Sequence, residues 1–324
     1  MKSSGGMRSW VFLFLCNLMW ALQFTCIKLV QDQIGALFTV WAPMTLATVM
    51  LYPLIRRERT SIRKPRPKSD ILLYLLLALL GVFPGQVLVT WGTRISTASN
   101  AAIIMLAIPP FTAIFAVLFL KERMTLVRWL SFAIALGGVL LCSQTDLGNM
   151  NFGSAYLAGN LLILSGALGS AFYNSYGKKM LERYTPMEML FYTYVVMFVV
   201  MLPLVLTQER SVFSRIPQFT SSTWIGLIIL TVIHNFLSMV LFLKALQQID
   251  ATQAALSNYL ITFFGVPIAA IWLGEKLGIT AIVGGVLVLV STLIITLWEP
   301  AGTAAEPSAA PPAGSALSAR QDNA

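Results

Sequence analysis

Apolar residues in this chain run in long unbroken blocks separated by short polar stretches. Ten such blocks stand out, at roughly 10–30, 36–55, 71–91, 98–120, 125–143, 156–177, 186–206, 223–246, 251–273 and 278–298. A helix needs about 20 mostly apolar residues to cross the hydrocarbon core of a bilayer. The blocks are too long and too continuous for barrel strands. The pattern predicts an all-α integral membrane protein with ten transmembrane helices. Polar punctuation marks several ends. Thr185-Pro186-Met187-Glu188 reads as a helix start, with a threonine cap, proline in the first turn and a glutamate reaching back. Asp250 with Gln253 reads as a similar cap for the ninth helix, and Pro53 and Pro203 lie near the ends of the second and seventh.

Composition sharpens this picture. The chain is 57% hydrophobic and only 11% charged, against about a quarter charged in a soluble domain, so it cannot hide its apolar surface in a water-soluble core. The net charge of +9 sits between the apolar blocks, which speaks for membrane topology rather than nucleic acid. With the N-terminus inside, 17 of the 22 Lys and Arg fall on the cytoplasmic side, seven of them between Arg56 and Lys68. Both termini are therefore expected in the cytoplasm, in the plasma or inner membrane. No small-x-small site ends the first block, so it is read as an uncleaved span. Residues 1–9 form the cytoplasmic N-terminus, 144–155 an outer linker and 299–324 a disordered cytoplasmic tail rich in Ala, Pro, Ser and Gly. Three cysteines give neither a disulfide framework nor metal-ligand spacing; neither cofactor nor metal is expected.

One short signature occurs twice. Ala98-Ser99-Asn100-Ala101-Ala102 opens the fourth block and Glu122 follows its end; Ala251-Thr252-Gln253-Ala254-Ala255 opens the ninth and Glu275 follows. The offset of 153 also aligns Ile108 with Ile261, Phe111 with Phe264, Ala116 with Ala269 and Leu120 with Leu273. It divides the chain into two five-helix halves, 10–143 and 156–298. An odd number of spans makes the second half enter the membrane from the opposite side, so the prediction is two inverted five-helix repeats. Such a scaffold suits alternating access, with substrate near mid-membrane at the repeat interface.

These residues carry a resemblance. The alanine-rich fourth block ending in Leu120-Lys121-Glu122-Arg123, followed by Gly137-Gly138, and the second copy with Leu273-Gly274-Glu275-Lys276 and Gly284-Gly285, resemble the drug/metabolite transporter superfamily, EamA family. The likeness covers roughly 10–298. It departs where that family often has a basic residue early in the second span: here the chain reads Trp41-Ala42-Pro43-Met44. The resemblance implies secondary transport, commonly export, of amino acids or other small metabolites.

Candidate site residues are polar groups inside apolar blocks. Trp20 lies mid-span with Asn17 and Gln23 three residues to either side, whereas the other seven tryptophans lie near span ends. His234, the only histidine, is followed by Asn235 and shares a face with Ser238. The 153 offset sets His234 against Gly81 and Ser238 against Gly85, with Gln86 next to the latter. Asn258, Tyr259, Tyr173 and Asn174 complete the predicted cavity lining. Asn100 and Gln253 are repeat mates at helix starts. Pro109, Pro110 and Pro267 are expected to kink the fourth and ninth helices. Glu122 and Glu275, beside Arg123 and Lys276, read as turn residues or gate ion pairs.

Charge is missing from every span midpoint, so a carboxylate-driven pump is disfavoured and protons would have to use His234 or carboxylates near span ends. A phosphorylated solute would want buried Arg or Lys forks. The residues therefore favour a secondary transporter of a neutral or zwitterionic metabolite, with amino-acid export as the leading case. A nucleotide-sugar or organic-phosphate exchanger is the alternative. A membrane-embedded enzyme is the third reading, opposed by the single histidine. The expected partners are a small-molecule substrate and the lipid bilayer, with protons a further candidate; the sequence leaves the oligomeric state open.

Overall fold

The computed structural model describes residues 4–59, 70–95, 104–105, 107–142, 154–261, 263–264, 268 and 279–298. Among them the chain is helical, with no strand. The first block is two helices, α1 (Ser4–Ala21) and α2 (Gln23–Val30), interrupted at Leu22. Next come α3 (Ala36–Arg59) and α4 (Asp70–Leu76), which passes into π-helix at Leu77–Val82 and Pro84–Leu88 before α5 (Val89–Ile95). Then follow α6 (Ile108–Leu120), α7 (Leu126–Cys142), α8 (Ser154–Met180) and α9 (Pro186–Gln208). A short helix, Ser211–Arg215, leads to α10 (Ser221–Ile228), a π-helical stretch at Ile229–Ser238, α11 (Met239–Leu246), α12 (Ala251–Ser257) and α13 (Ile279–Trp298). Four described runs are long and apolar enough to cross a membrane: Ala36–Arg57, Ile71–Gly92, Pro186–Gln208 and Ser221–Leu246. The helices at 108–120, 126–138 and 282–295 are apolar but shorter.

Local chemistry accounts for several boundaries. Thr185 Oγ1 accepts from the Glu188 N–H, Glu188 reaches back to the Thr185 N–H, and Pro186 opens α9, the capping box expected from the sequence. Pro109 and Pro110 lie in the first turn of α6, where a missing N–H costs no intrahelical bond; most of the fourth block before them, 98–103 and 106, lies outside the described residues. One expectation is corrected. Asp250 is the N-cap of α12, yet its carboxylate makes no capping bond; it pairs instead with Arg128, and Glu122 supplies the cap.

Large apolar side chains such as Leu118, Trp129, Val199, Ile225 and Leu293 are exposed, as a lipid-facing surface requires, while the interior holds Leu13, Leu37, Leu77, Tyr194 and Phe242. Small residues let backbones approach closely inside a bilayer. The segment 77–95 lies against α8 in this way: a Cβ on Gly85 would stand 2.7 Å from Ser170 Oγ, and one on Gly169 2.7 Å from Pro84 Cβ.

Candidate functional site

A small, partly open recess, with room for about one water molecule, is lined by Gln23, Ile27, Thr39, Val40, Gln86, Thr90, Leu230, His234 and Asn235. Gln23 is the first residue of α2, and Ile27 follows one turn later on the same face. Thr39 and Val40 come from the start of α3. Gln86 sits in the π-helical stretch before α5, and Thr90 Oγ1 donates back to the Gln86 carbonyl at 2.7 Å. Leu230, His234 and Asn235 belong to the second π-helical stretch. A π turn is wider than an α turn and is found frequently at functional sites; Pro84–Leu88 and Ile229–Ser238 both contribute to this recess.

The geometry leaves hydrogen-bonding capacity unspent. Gln23 Nε2 and Gln86 Oε1 are 3.5 Å apart, too long for a strong bond. His234 is 4% exposed, and its Nδ1 has no partner among the described residues. Asn235 is held: its Nδ2 donates to the Leu230 carbonyl at 2.8 Å and its own carbonyl accepts from Tyr194 Oη at 2.9 Å. His234 lies thirteen residues from one end of the Ser221–Leu246 run and twelve from the other, whereas Thr39, Val40 and Thr90 lie near the ends of their runs, so the recess reaches from the middle of the helices toward the end where α3 begins. No charged side chain lines it. Amide, hydroxyl and imidazole groups with apolar walls can orient a small uncharged or zwitterionic solute; they offer no fork for a phosphate.

Of the predicted residues, Gln23, Gln86, His234 and Asn235 come together here. Ser238 Oγ donates to the His234 carbonyl and so braces the stretch from behind. Asn17 is fully buried and donates from Nδ2 to Ser257 Oγ at 3.0 Å, away from the recess. Trp20 packs on Phe242 at 5.0 Å between ring centres. Tyr259 packs on Phe132, and Asn258 is half-buried in the turn before it. Tyr173 lies against Gly81, while Asn174 Nδ2 is 3.4 Å from Thr112 Oγ1, on the α6 side of α8. Gln253 is buried with both amide ends unpartnered among the described residues. Asn100, Pro267 and Glu275 lie outside the described residues.

A second constellation lies at the end of α6. Lys121 adopts a left-handed conformation (φ 57°), which ends the helix and turns Glu122 inward. Glu122 is 3% exposed and caps α12: its Oε1 accepts from the Ala251 N–H at 2.7 Å, and its Oε2 from the Thr252 N–H at 3.2 Å and Thr252 Oγ1 at 2.7 Å. Arg128, 1% exposed, lies 3.5 Å from Glu122 Oε2, pairs with Asp250 and donates to the Arg123 carbonyl at 3.0 Å. Burial, with the Asp250 charge in second place, raises the Glu122 carboxyl above its ordinary value of 4.5. Lys178 Nζ donates to the Leu246 and Gln247 carbonyls at 2.7 and 3.2 Å.

Sequence reasoning missed Thr39, Thr90 and the apolar walls, which carry no mark among ordinary span residues. It also missed Arg128, although a lone charge within the block 125–143 was a visible signal.

A helical protein with membrane-crossing runs and an uncharged polar recess among them is a membrane transporter in outline. The comparisons give the class its family. The EamA-like transporter family model matches twice, over residues 7–144 and 157–297, and the chain belongs to that family. A "probable terminal-alkyne amino-acid exporter" of Streptantibioticus cattleyicolor is 26% identical over 87% of this chain and 91% of its own length. An "S-adenosylmethionine uptake transporter" of Rickettsia bellii is 26% identical over 78% of this chain and 81% of its own. A solved crystal structure superposes with a TM-score of 0.73 at 12% identity, covering 92% of this chain and 99% of that one. The family and these relatives are transporters, not enzymes.

Proposed function

We propose that the protein is a secondary transporter of small neutral or zwitterionic metabolites, with amino acids as the leading class and export as the leading direction. It works by alternating access in the cytoplasmic membrane, with both termini in the cytoplasm. The observation that carries this reading is the recess, built from helices on both sides of residue 150 and free of charged side chains. The two matches to one family model, and π-helical stretches starting 152 residues apart at Leu77 and Ile229, support a duplicated scaffold of inverted halves. Substrate would pair with Gln23, Gln86 and His234 and lie against Ile27, Val40 and Leu230.

The test is flux in proteoliposomes with labelled neutral amino acids, S-adenosylmethionine and phosphorylated solutes, with and without a pH gradient. Amino acids are expected to exchange, and Gln23→Ala or His234→Ala to reduce the flux of folded protein. Flux of phosphorylated solutes without amino-acid flux would establish the exchanger alternative instead.

A further inference from the structure

Both ends of the molecule are tied across its helices, but with different chemistry. At one end of the Ser221–Leu246 run, Gln33 Oε1 accepts from the Thr220 N–H at 2.9 Å and from Thr223 Oγ1 at 2.6 Å. Nearby, Glu209 accepts from the Leu37 and Phe38 N–H groups at 3.0 and 2.8 Å. Gln33 and Glu209 are only half-buried. At the other end, Glu122, Arg128 and Asp250 are each 3% exposed or less. Here ionic attraction acts with little solvent to screen it. The turn between α11 and α12 is held from both sides: Lys178 meets the C-terminal carbonyls of α11, and Glu122 the N-terminal N–H groups of α12. Each charge matches the helix dipole it faces.

We propose that Glu122, Arg128 and Asp250 form the gate at this end of the transport path, and that Arg128 is its positioning residue. The inference rests on the alternating-access reading. Arg128 spans the two carboxylates, so it holds Glu122 on the start of α12 while also pairing with Asp250 one residue before that helix. Opening this end requires α12 to leave the 121–125 turn and the start of α7, which breaks both ion pairs and the three bonds to Glu122 together. Lysine at this position keeps the charge but, lacking the planar fork, cannot span both carboxylates. The recess lies beyond the gate, toward the Gln33 end.

The experiment is cysteine accessibility, which needs no substrate. Cys16, Cys26 and Cys142 are replaced by alanine, and Ser257→Cys or Ile27→Cys is introduced singly. Ser257 is fully buried on α12 against Asn17, and Ile27 lines the recess. Membrane vesicles of both orientations are treated with an impermeant maleimide. Arg128→Ala is expected to raise labelling at 257 from the Glu122 side on the order of tenfold and to lower labelling at 27 from the opposite side. Arg128→Lys gives a smaller change in the same sense. A merely structural lesion loosens both ends, so a rise at both positions overturns the gate. Unchanged labelling at 257 in folded Arg128→Lys and Arg128→Ala protein also overturns it. If Arg128→Ala does not fold, Arg128→Lys and Glu122→Gln decide by the same two readouts. Absence of flux for every solute would instead count against the transporter reading, whatever the labelling.

Discussion

Two adjacent glycines in α7 should respond oppositely to the same added methyl group. A Cβ on Gly138 would stand 2.8 Å from the Gly284 carbonyl oxygen, 2.9 Å from Leu287 Cβ and 2.9 Å from the Val288 nitrogen. Two of those atoms are backbone, so relief requires α7 and α13 to move apart. They are also stapled by Ser291 Oγ, which donates to the Ser131 carbonyl at 2.6 Å. A Cβ on Gly137 would meet nothing within 4 Å. In Gly→Ala at either site the helix-propensity gain is the same, about 1 kcal/mol, so the difference between the variants isolates packing. Overpacking of this kind costs about 1–3 kcal/mol. At an unfolding entropy of about 2.1 cal/mol/K per residue, the 324 residues give roughly 1.5 °C per kcal/mol, so Gly138→Ala should melt about 1.5 to 4.5 °C below Gly137→Ala. The assay is thermal unfolding of detergent-solubilised protein, with the two variants prepared side by side. Equal melting temperatures would show that α7 and α13 do not pack on the Gly138 face, and would refute the helix pairing itself.

Glu122→Gln tests the buried cluster through pH. The folded carboxyl lies above its unfolded value of about 4.3 because burial and Asp250 disfavour the charge. Its stabilising contribution is therefore full below that unfolded value and is lost as pH rises through the raised folded one. Wild-type stability should fall relative to Glu122→Gln across that window in thermal melts; a rise would contradict the burial. Thr185→Ala removes one side of the capping box and should cost about 1 kcal/mol, read as a lower melting temperature with flux per folded molecule unchanged.

Much of this architecture was legible because the bilayer restricts the options: long apolar blocks can only be helices there, and Thr185-Pro186-Met187-Glu188 has one sensible use. The recess was half legible. Gln23, Gln86, His234 and Asn235 stood out as polar residues inside apolar blocks. Thr39 and Thr90 did not, since a threonine in a span commonly bonds its own helix, as Thr90 does to Gln86. Asp250 misled for a related reason. An Asp before an alanine-rich run is a good cap by local rules, but local rules cannot see an arginine 122 residues away that binds its carboxylate. Nor can they see the glutamate that takes over the capping. The long-range charge partners decided the outcome, and no periodicity encodes them.

The π-helical stretches of the two halves differ in their chemistry. They begin 152 residues apart and face one recess, yet their side chains differ in kind. Leu77–Leu88 contributes Gly81, Pro84 and Gly85, which serve close packing against α8 and leave only Gln86 for the recess. Ile229–Ser238 contributes His234 and Asn235 to the recess and uses Ser238 to brace the His234 carbonyl. A widened turn adds a residue to the helix without adding length, so it rotates the side chains beyond it relative to those before. In the first stretch glycine and proline make that backbone tolerable; in the second, polar side chains bond the carbonyls it displaces, as Asn235 does with Leu230. Substitutions at His234 and Gln86 should therefore alter which solute is carried, whereas substitutions at Gly81 and Gly85 should alter whether the protein assembles at all.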